Sequence, residues 1–360
     1  MVLGACGATG QNAPGQSHAS GTPSLAATPG ASPSPSHSPS PASADLRLVI
    51  NDYNRGEVRL ARLDATRTAA VKGQYGGIVG GKVIVLNGLT LELLNRNGTV
   101  KKLGVLAGKP ETVVVNPQMS EWLYAIHDDA STARIHLGTA TGDRVVATLP
   151  SPNGNAYYQP YAWNASGVYM VRQPIGIGGA GPFLEYEFPL AKFDMKSGRL
   201  TEFSPACIAY GVLDDGTIIC GRSNVLGRIE VRSPSGHINQ IQLGTDGGPL
   251  DNAYVRVSVS PDHTRLITGR NGSKDPVLNY QMAIADLTAA NAHPFGPLDY
   301  LPNFWLPDGR VVAEHQCAYS GWGGGPCDAT LDGTYIFSAN GATHSLFFKL
   351  ATGAVVVGYM

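Results

Sequence analysis

The chain has 360 residues, of which 45 are glycine and 25 are proline, and only 15% are charged. Its formal net charge at pH 7 is −1, so no strong field attracts nucleic acid or an anionic membrane. The hydrophobic content of 43% is enough for a large core, but no apolar run is long enough to span a bilayer. Helical periodicity is not sustained, whereas short apolar segments recur, so an all-β chain is predicted.

The N-terminus carries a short motif that ends at Cys6. An apolar residue, Leu3, and two small ones, Gly4 and Ala5, precede the cysteine. This order resembles the lipobox of bacterial lipoproteins, in which the cysteine is diacylated and becomes the mature N-terminus. We interpret residues 1–6 as the remnant of such a signal, whose basic and apolar regions would precede Met1. The resemblance implies lipidation of Cys6 and an extracytoplasmic protein anchored to the bacterial cell membrane through lipid alone.

Residues 7–44 have the composition of a disordered tether. They contain no Asp, Glu, Lys or Arg and include seven prolines, several of them in Ser-Pro repeats. Such a segment cannot bury enough apolar surface to offset the chain entropy that is lost on ordering. We expect an extended linker that lifts a globular head off a membrane surface. A spacer without an anchor is the alternative.

From residue 45 onward a hairpin pattern repeats. Its clearest copy is residues 255–270, two apolar strands joined by a Ser-Pro-Asp-His turn, in which proline fixes one corner and the Asp side chain can bond back to the backbone. Counted from turn to turn, the copies lie about 46 to 49 residues apart. The turn positions used for this spacing are Pro117, Ala165, Asp214, Pro261 and Pro307. A hairpin with this period predicts a β-propeller, one four-stranded sheet per repeat.

A second recurring turn gives the number of blades. Pairs that tolerate positive φ, such as Asn97-Gly98 and Ser235-Gly236, separate the third and fourth strands of each repeat. Seven such turns predict seven blades over residues 45–360, and six blades is the alternative because the first repeat is degenerate. That repeat has only three strands, whereas the chain ends on an extra strand, residues 353–360. We therefore predict that the last strand completes the first blade and closes the ring.

The Ser-Pro-Asp and Pro-Asp-Gly turns give the repeats a family resemblance. They resemble those of WD40-like and TolB-like (YVTN-like) propellers over residues 45–360, although the Trp-Asp dipeptide of true WD40 repeats is absent. The resemblance implies the seven-bladed fold and, for extracytoplasmic members, mostly a binding or scaffolding role. We expect a monomer that uses no metal or cofactor and binds no nucleic acid.

Four of the five cysteines form two close pairs in the sequence. Cys207 and Cys220 flank one hairpin, and Cys317 and Cys327 bracket a Gly-rich loop, so two bonds would close loops of about 13 and 10 residues. Two close pairs favour disulfides and hence an oxidising compartment. Four reduced, buried thiols in a cytosolic protein is the alternative. No Cys-x-x-Cys or Cys/His cluster indicates a zinc site.

Long connections between second and third strands are predicted to form a ligand-binding face. They fall at residues 174–187, 271–279 and 316–330 and would surround one mouth of the channel. Their aromatic residues, together with polar residues near the ends of second strands, are the candidates for ligand contact: Phe183, Tyr186, Tyr319, Trp322, His127, Asp128, Glu314 and His315. His136 and His237 have no partner in the sequence pattern and are predicted to lie on the surface.

The sequence therefore favours a non-enzymatic surface lipoprotein that binds a protein or cell-envelope ligand through this face. The alternative is an extracytoplasmic lyase or hydrolase that uses His127, His315 and neighbouring carboxylates at the channel mouth. A purely structural spacer is the third hypothesis. Neither the Asp-box of sialidase-type propellers nor a Gly-x-Ser-x-Gly elbow occurs in the sequence, so no motif supports catalysis.

Overall fold

The structure is a computed structural model, and it describes residues 45–129, 132–151, 154, 156–174, 189–222, 225–243, 257–271, 280–315, 328–349 and 353–360. These residues form 28 β-strands and a short 3-10 helix at Ala329–Leu331, and they contain no α-helix. A helix long and apolar enough to cross a membrane does not occur among them.

Seven four-stranded antiparallel sheets follow one another as blades 1 to 7. From the channel outward, blade 1 consists of β28 (Ala354–Tyr359), β1 (Leu48–Asp52), β2 (Glu57–Ala61) and β3 (Arg67–Lys72). Blade 2 consists of β4 (Gln74–Val79), β5 (Lys82–Asn87), β6 (Thr90–Leu94) and β7 (Val100–Val105). Blade 3 consists of β8 (Val113–Val115), β9 (Glu121–Asp129), β10 (Thr132–Thr139) and β11 (Gly142–Pro150). Blade 4 consists of β12 (Ala156–Asn164), β13 (Gly167–Pro174), β14 (Leu190–Asp194) and β15 (Arg199–Glu202).

The last three blades have the same order. Blade 5 consists of β16 (Ile208–Val212), β17 (Ile218–Arg222), β18 (Val225–Arg232) and β19 (Ile238–Gln242). Blade 6 consists of β20 (Val257–Val259), β21 (Arg265–Asn271), β22 (Tyr280–Asp286) and β23 (His293–Leu298). Blade 7 consists of β24 (Leu301–Trp305), β25 (Val311–His315), β26 (Gly333–Phe337) and β27 (His344–Phe348). The seven-bladed prediction is confirmed, and the six-bladed alternative is wrong.

The two ends of the ring carry different connections. One end, which we call the turn face, carries the turns that join first to second strands and third to fourth strands. In blade 5 these turns are residues 213–217 and 233–237. The other end, which we call the loop face, carries the connections between second and third strands and those between blades. In blade 1 the connection between the second and third strands is residues 53–56. The three long connections predicted to bind ligand start and finish on the loop face, and nearly all their residues lie outside the described part.

Asp side chains hold the hairpin turns, as the sequence predicts. In blade 6, Ser260 Oγ donates a hydrogen bond of 2.5 Å to Asp262 Oδ1, which also accepts the backbone N–H of Thr264 at 3.2 Å. The bond from Ser260 is the main reason that the pKa of Asp262 lies below its ordinary value. In blade 5 the carboxylate of Asp215 accepts the N–H of Thr217 at 2.8 Å in the equivalent turn. These carboxylates therefore fix the strand ends.

The core consists of apolar clusters between neighbouring blades, and close approach to glycine shapes one of them. Trp122 of blade 3 is 1% exposed and packs with residues of blade 2. A Cβ atom on Gly138 would lie 2.0 Å from Trp122 Nε1, and one on Gly104 would lie 2.3 Å from its Cζ2. Because no side chain fits at either position, Gly104 is required for the contact of Trp122 with blade 2, and Gly138 for its packing within blade 3.

The two ends of the described chain close the ring in blade 1. β28 pairs antiparallel with β1, with Leu48 opposite Tyr359 and Asp52 opposite Ala354. Beyond these strands, the backbone N–H groups of Arg47 and Met360 each donate to the carbonyl of the other residue, at 3.1 and 2.9 Å. The prediction that the last strand supplies the missing inner strand of blade 1 is confirmed.

Cys207 and Cys220 form the predicted disulfide, and their Cα atoms are 5.4 Å apart. The residue directly opposite Cys220 is Ala209, so the bond runs diagonally across the β16–β17 hairpin. Both cysteines are fully buried, and they pack with residues of blade 4. Cys6, Cys317 and Cys327 lie outside the described residues, and the pairing of the last two remains a prediction.

Replacing Val356 by Asp should weaken the closure. Val356 on β28 is 1% exposed and packs against residues of blade 7, so V356D would bury an unpaired charge there. We expect the free energy of unfolding to fall by roughly 3 kcal/mol or more in urea denaturation followed by circular dichroism. The control is Val100→Asp on an outer strand, where the side chain is 42% exposed and we expect a change below about 0.5 kcal/mol. Equal midpoints for V356D and the wild type would contradict a closure that stabilises the ring.

Candidate functional site

The innermost strands of the seven blades surround a channel. Each of β28, β4, β8, β12, β16, β20 and β24 forms a ladder on one side only, with the second strand of its own blade. Innermost strands of neighbouring blades contact each other, for example β4 with β8 and β8 with β12. The other edge of each strand therefore presents backbone N–H and C=O groups that no ladder uses.

A cavity of about 400 Å³ lies among the inner strands of blades 2, 3 and 4, and we call it the channel pocket. Its lining consists of glycine, aliphatic, hydroxyl, amide and aromatic residues. They are Gly76, Gly77, Ile78, Val79, Ile84, Thr112, Val113, Val114, Val115, Gln159, Pro160, Tyr161, Ala162, Trp163 and Val171. These groups can form hydrogen bonds and stack on a ligand, but none carries a charge at neutral pH.

A glycine, Gly77, leaves room for the pocket on the side of blade 2. Gly77 has φ = +134°, a region that residues with a side chain rarely adopt, and a Cβ atom there would meet nothing within 4 Å. The β4–β5 register shifts between Tyr75 and Gly77, as expected for a bulge at a glycine. Any larger residue at position 77 would add atoms to the open space of the channel.

Polar side chains link blades 3 and 4 at the channel pocket. Thr112 Oγ1 donates a hydrogen bond of 3.1 Å to the carbonyl of Pro160. The Gln159 amide donates to the side-chain oxygen of Gln173 on the next strand. The amide and hydroxyl groups are therefore held in place by their neighbours, which reduces the entropy that they lose when a ligand binds.

His127, a predicted site residue, lies between blades 3 and 4. Its ring centroid is 3.8 Å from that of Tyr157, and both side chains are half-buried. Tyr157 donates a 2.5 Å hydrogen bond to the exposed carboxylate of Glu111. Burial, and then this acceptor, raise the pKa of Tyr157, so its phenol stays protonated at neutral pH. Asp128 is described only as backbone of β9.

His315 and Glu314, two further predicted site residues, are both buried at the end of β25 in blade 7. His315 Nδ1 lies 3.1 Å from a carboxylate oxygen of Asp332, and its ring centroid is 5.2 Å from that of Tyr300. Burial is the largest cause that raises the pKa of Tyr300 to about 12. The nearby carboxyl of Asp299 also has a raised pKa because it is partly buried, although His315 opposes this shift.

The structure gives the two predicted histidines separate surroundings. His127 belongs to blade 3 and packs on Tyr157, whereas His315 belongs to blade 7 and contacts Asp332. In the part of the chain that the structure describes, no three His, Cys, Asp or Glu side chains are grouped closely enough to hold a metal ion. Four predicted aromatic residues lie outside that part, and their role remains a prediction: Phe183, Tyr186, Tyr319 and Trp322.

The prediction that His136 lies on the surface is wrong, because this residue is 4% exposed between blades 2 and 3. Its Nδ1 lies 2.7 Å from Asp143 Oδ1, and Tyr124 donates a 2.5 Å hydrogen bond to the other oxygen of that carboxylate. The Tyr124 hydroxyl in turn accepts the N–H of Ala107, in the link from blade 2, at 2.7 Å. Nothing in the sequence marks this network, since its members come from three separate segments. His237 is exposed, as predicted.

Similar solved structures share the propeller fold at low sequence identity. An oligogalacturonate lyase in complex with manganese has a TM-score of 0.52 and 15% identity, and the match covers 83% of each chain. The β-propeller domain of the Trilobed protease from Pyrococcus furiosus has a TM-score of 0.50 and 10% identity, with 85% of this chain and 95% of that chain covered. TolB from Acinetobacter baumannii has a TM-score of 0.39 and 14% identity, with coverage of 82% and 77%.

The first two likenesses support the fold and no particular activity, because fold alone does not determine function. No protein-family model matches the sequence, and no curated protein matches it significantly. The expected seven-bladed propeller is confirmed by the strand order of the structure itself, whereas the family resemblance and the lipoprotein assignment remain predictions.

Replacing Tyr124 by Phe should weaken the contact between blades 2 and 3. Y124F leaves the Ala107 N–H without its acceptor and the Asp143 carboxylate without one donor, so we expect unfolding to become easier by about 1–3 kcal/mol at pH 7. Burial, and then the bond to Asp143, raise the pKa of Tyr124 above the value in the unfolded chain. The stability that this phenol contributes is therefore complete below about pH 10 and is lost as the pH rises further.

The measurement is urea denaturation of Y124F and the wild type at pH 7 and at several values above pH 10. The difference between the two proteins should shrink at alkaline pH, because the variant has no phenol to ionise at this position. Tyr53→Phe is the control, since the Tyr53 side chain is 64% exposed and its change should be negligible. Identical unfolding curves for Y124F and the wild type at pH 7 would contradict a stabilising role for the network.

Proposed function

We propose that this protein is a non-enzymatic binding module, held outside a bacterial cell by a lipid on Cys6, that takes an uncharged segment of a partner polypeptide into the channel pocket. The observation that carries the proposal is the chemistry of this pocket. Its amide, hydroxyl and aromatic groups can position a ligand, and its glycines leave space for one. None of these groups is an acid or base with a pKa near neutrality, so the pocket is suited to binding rather than proton transfer.

A polypeptide fits the channel better than other envelope ligands because of the unpaired strand edges. Three inner strands, β4, β8 and β12, border the pocket and pair on one side only. An extended peptide can hydrogen-bond to such edges through its own backbone while its side chains occupy the pocket. An uncharged segment is favoured because the lining offers no counter-ion to a buried charge.

The proposed location rests on the cysteines and on the N-terminal sequence. The disulfide between Cys207 and Cys220 supports an oxidising compartment, because such bonds are rare in the reducing cytosol. Cys6 follows a lipobox-like tripeptide, and residues 7–44 have the composition of a flexible tether. Together these features support a head that is carried at a distance from a membrane.

The rival hypothesis is an extracytoplasmic lyase or hydrolase at the channel mouth. A similar fold is found in an oligogalacturonate lyase that binds manganese, but the identity of 15% supports the fold alone. His127 and His315, the residues proposed for this chemistry, lie in blades 3 and 7 and have separate aromatic and carboxylate neighbours. The described geometry therefore favours binding over catalysis.

Anchoring is tested by replacing Cys6 with Ser in the source bacterium. We expect C6S to leave the membrane fraction, because serine cannot form the thioether that carries the diacyl lipid. Cell fractionation with immunoblotting measures this, and Ser36→Ala in the tether is the matched control that should stay with the membrane. Unchanged membrane fractionation of C6S would overturn the lipid anchor.

Ligand binding is tested with a photo-crosslinking amino acid, p-benzoylphenylalanine, in place of Tyr161 in the channel pocket. Irradiation of intact cells should join the protein to a partner polypeptide, detected as a larger, protease-sensitive band and identified by mass spectrometry. The same substitution at His237, exposed on the turn face of blade 5, is the control and should give no such band. A protease-resistant adduct would show that the ligand is an envelope polymer instead. A lack of any adduct at position 161 would overturn binding in the channel.

A further inference from the structure

A second concave site lies on the turn face of blade 4, away from the loop face. Its volume is about 650 Å³, and the described residues that line it belong to β12–β15 and the segments next to them. We call it the blade-4 groove. This volume lies within the range of about 300–1,000 Å³ that is usual for sites of small organic ligands.

Apolar and aromatic groups make up most of the groove. Phe193 is buried, and Trp163, Met195 and Phe203 are half-buried. The ring of Phe203 stacks on that of Tyr169, with 6.5 Å between centroids and 11° between planes. These contacts restrain the wall that Phe203 forms, so an apolar ligand would find a preformed surface.

The charged groups of the groove have a net positive charge. Lys192 and Lys196 are exposed, and neither forms an ion pair with a residue that the structure describes. Lys192 Nζ lies 5.8 Å from the ring centroid of Tyr169, a cation–π contact that holds the ammonium group beside the groove.

The one carboxylate in the groove, Asp194, is used by its own turn. Its two oxygens accept the N–H of Lys196 at 2.9 Å and the hydroxyl of Ser197 at 2.6 Å. The hydrogen bond from Ser197 and then the one from Lys196 lower the pKa of Asp194. Its carboxylate is therefore ionised at neutral pH. Two lysines and one aspartate give the groove a net charge of about +1.

We propose that the blade-4 groove binds an amphiphilic organic monoanion, that is, a single carboxylate or sulfonate on an acyl or aromatic body. The apolar body would lie against Phe203, which is on the same side of the sheet as Lys192 and Thr201, and the anionic group would lie beside the two lysine ammonium groups. A cation is disfavoured by the lysines, and a neutral molecule of the same shape gains no ionic contact. The site is separate from the proposed channel function, because ligand binding here requires neither the channel edges nor the anchor.

The probe is sodium decanoate below its micelle concentration, titrated into the full chain by calorimetry, with decanol as the uncharged molecule of equal chain length. We expect one decanoate per protein, binding about tenfold more tightly than decanol, which corresponds to ~1.4 kcal/mol. Raising the salt concentration should weaken decanoate and leave decanol unchanged, since exposed charges are screened.

The double variant K192Q/K196Q should lose about tenfold in affinity for decanoate and bind decanol as before. Its matched control is K101Q/K102Q, which removes two exposed lysines from the outer strand of blade 2 and should bind decanoate normally. Thr201→Glu, which places a negative charge in the groove beside Lys192, should abolish decanoate binding while the circular dichroism spectrum stays unchanged. Equal affinities for decanoate and decanol, or undiminished decanoate binding by K192Q/K196Q, would overturn the proposal.

Discussion

The antiparallel pairing of β28 with β1 is the constraint on which the rest of the structure depends. It joins the two ends of the described chain inside a single sheet, so the ring cannot open without breaking a whole strand ladder. Each blade packs on its neighbours through a buried apolar cluster, and blade 1 shares one such cluster with blade 7 and another with blade 2. Since the channel exists only where all seven inner strands surround it, the position of every lining group follows from this closure.

The architecture could be predicted from the sequence because its signals are local. A Ser-Pro-Asp turn acts within a few residues, and in the structure Asp262 indeed holds its own turn through Ser260. Gly98 has φ = +85° in one of the strand-joining turns, which explains why Asn-Gly stands there. Regular spacing of such turns fixes the number of strands in each repeat. The first repeat lacks an inner strand, so the additional strand at the end of the chain can be placed only there. The Cys207–Cys220 pair is equally local, because both residues flank one hairpin.

The contacts between blades could not be predicted in this way, because they join residues whose positions in the chain carry no common pattern. His136, Asp143 and Tyr124 meet only when β9, β10 and β11 pair in one register and blade 2 packs on them. The channel pocket combines Gly77 of blade 2 with Thr112 and Gln159 of the next two blades. Each of these residues is unremarkable alone, whereas the histidines stand out in the sequence, and the structure places His127 and His315 in separate blades.

The placement of charge explains why the candidate sites have the chemistry that they do. Few residues of the chain are charged, and several of those are engaged in structural contacts: Asp262 and Asp194 hold turns, and Arg232 pairs with Glu230 at 2.9 Å in a buried ion pair. A buried pair of this kind costs desolvation energy and gives fixed geometry in return, so it is not available to a ligand. The described lining of the channel pocket consists of glycine, aliphatic, hydroxyl, amide and aromatic groups, so specificity there would come from shape and directed hydrogen bonds. Where two exposed lysines lie beside apolar side chains, as in blade 4, a different class of ligand is favoured.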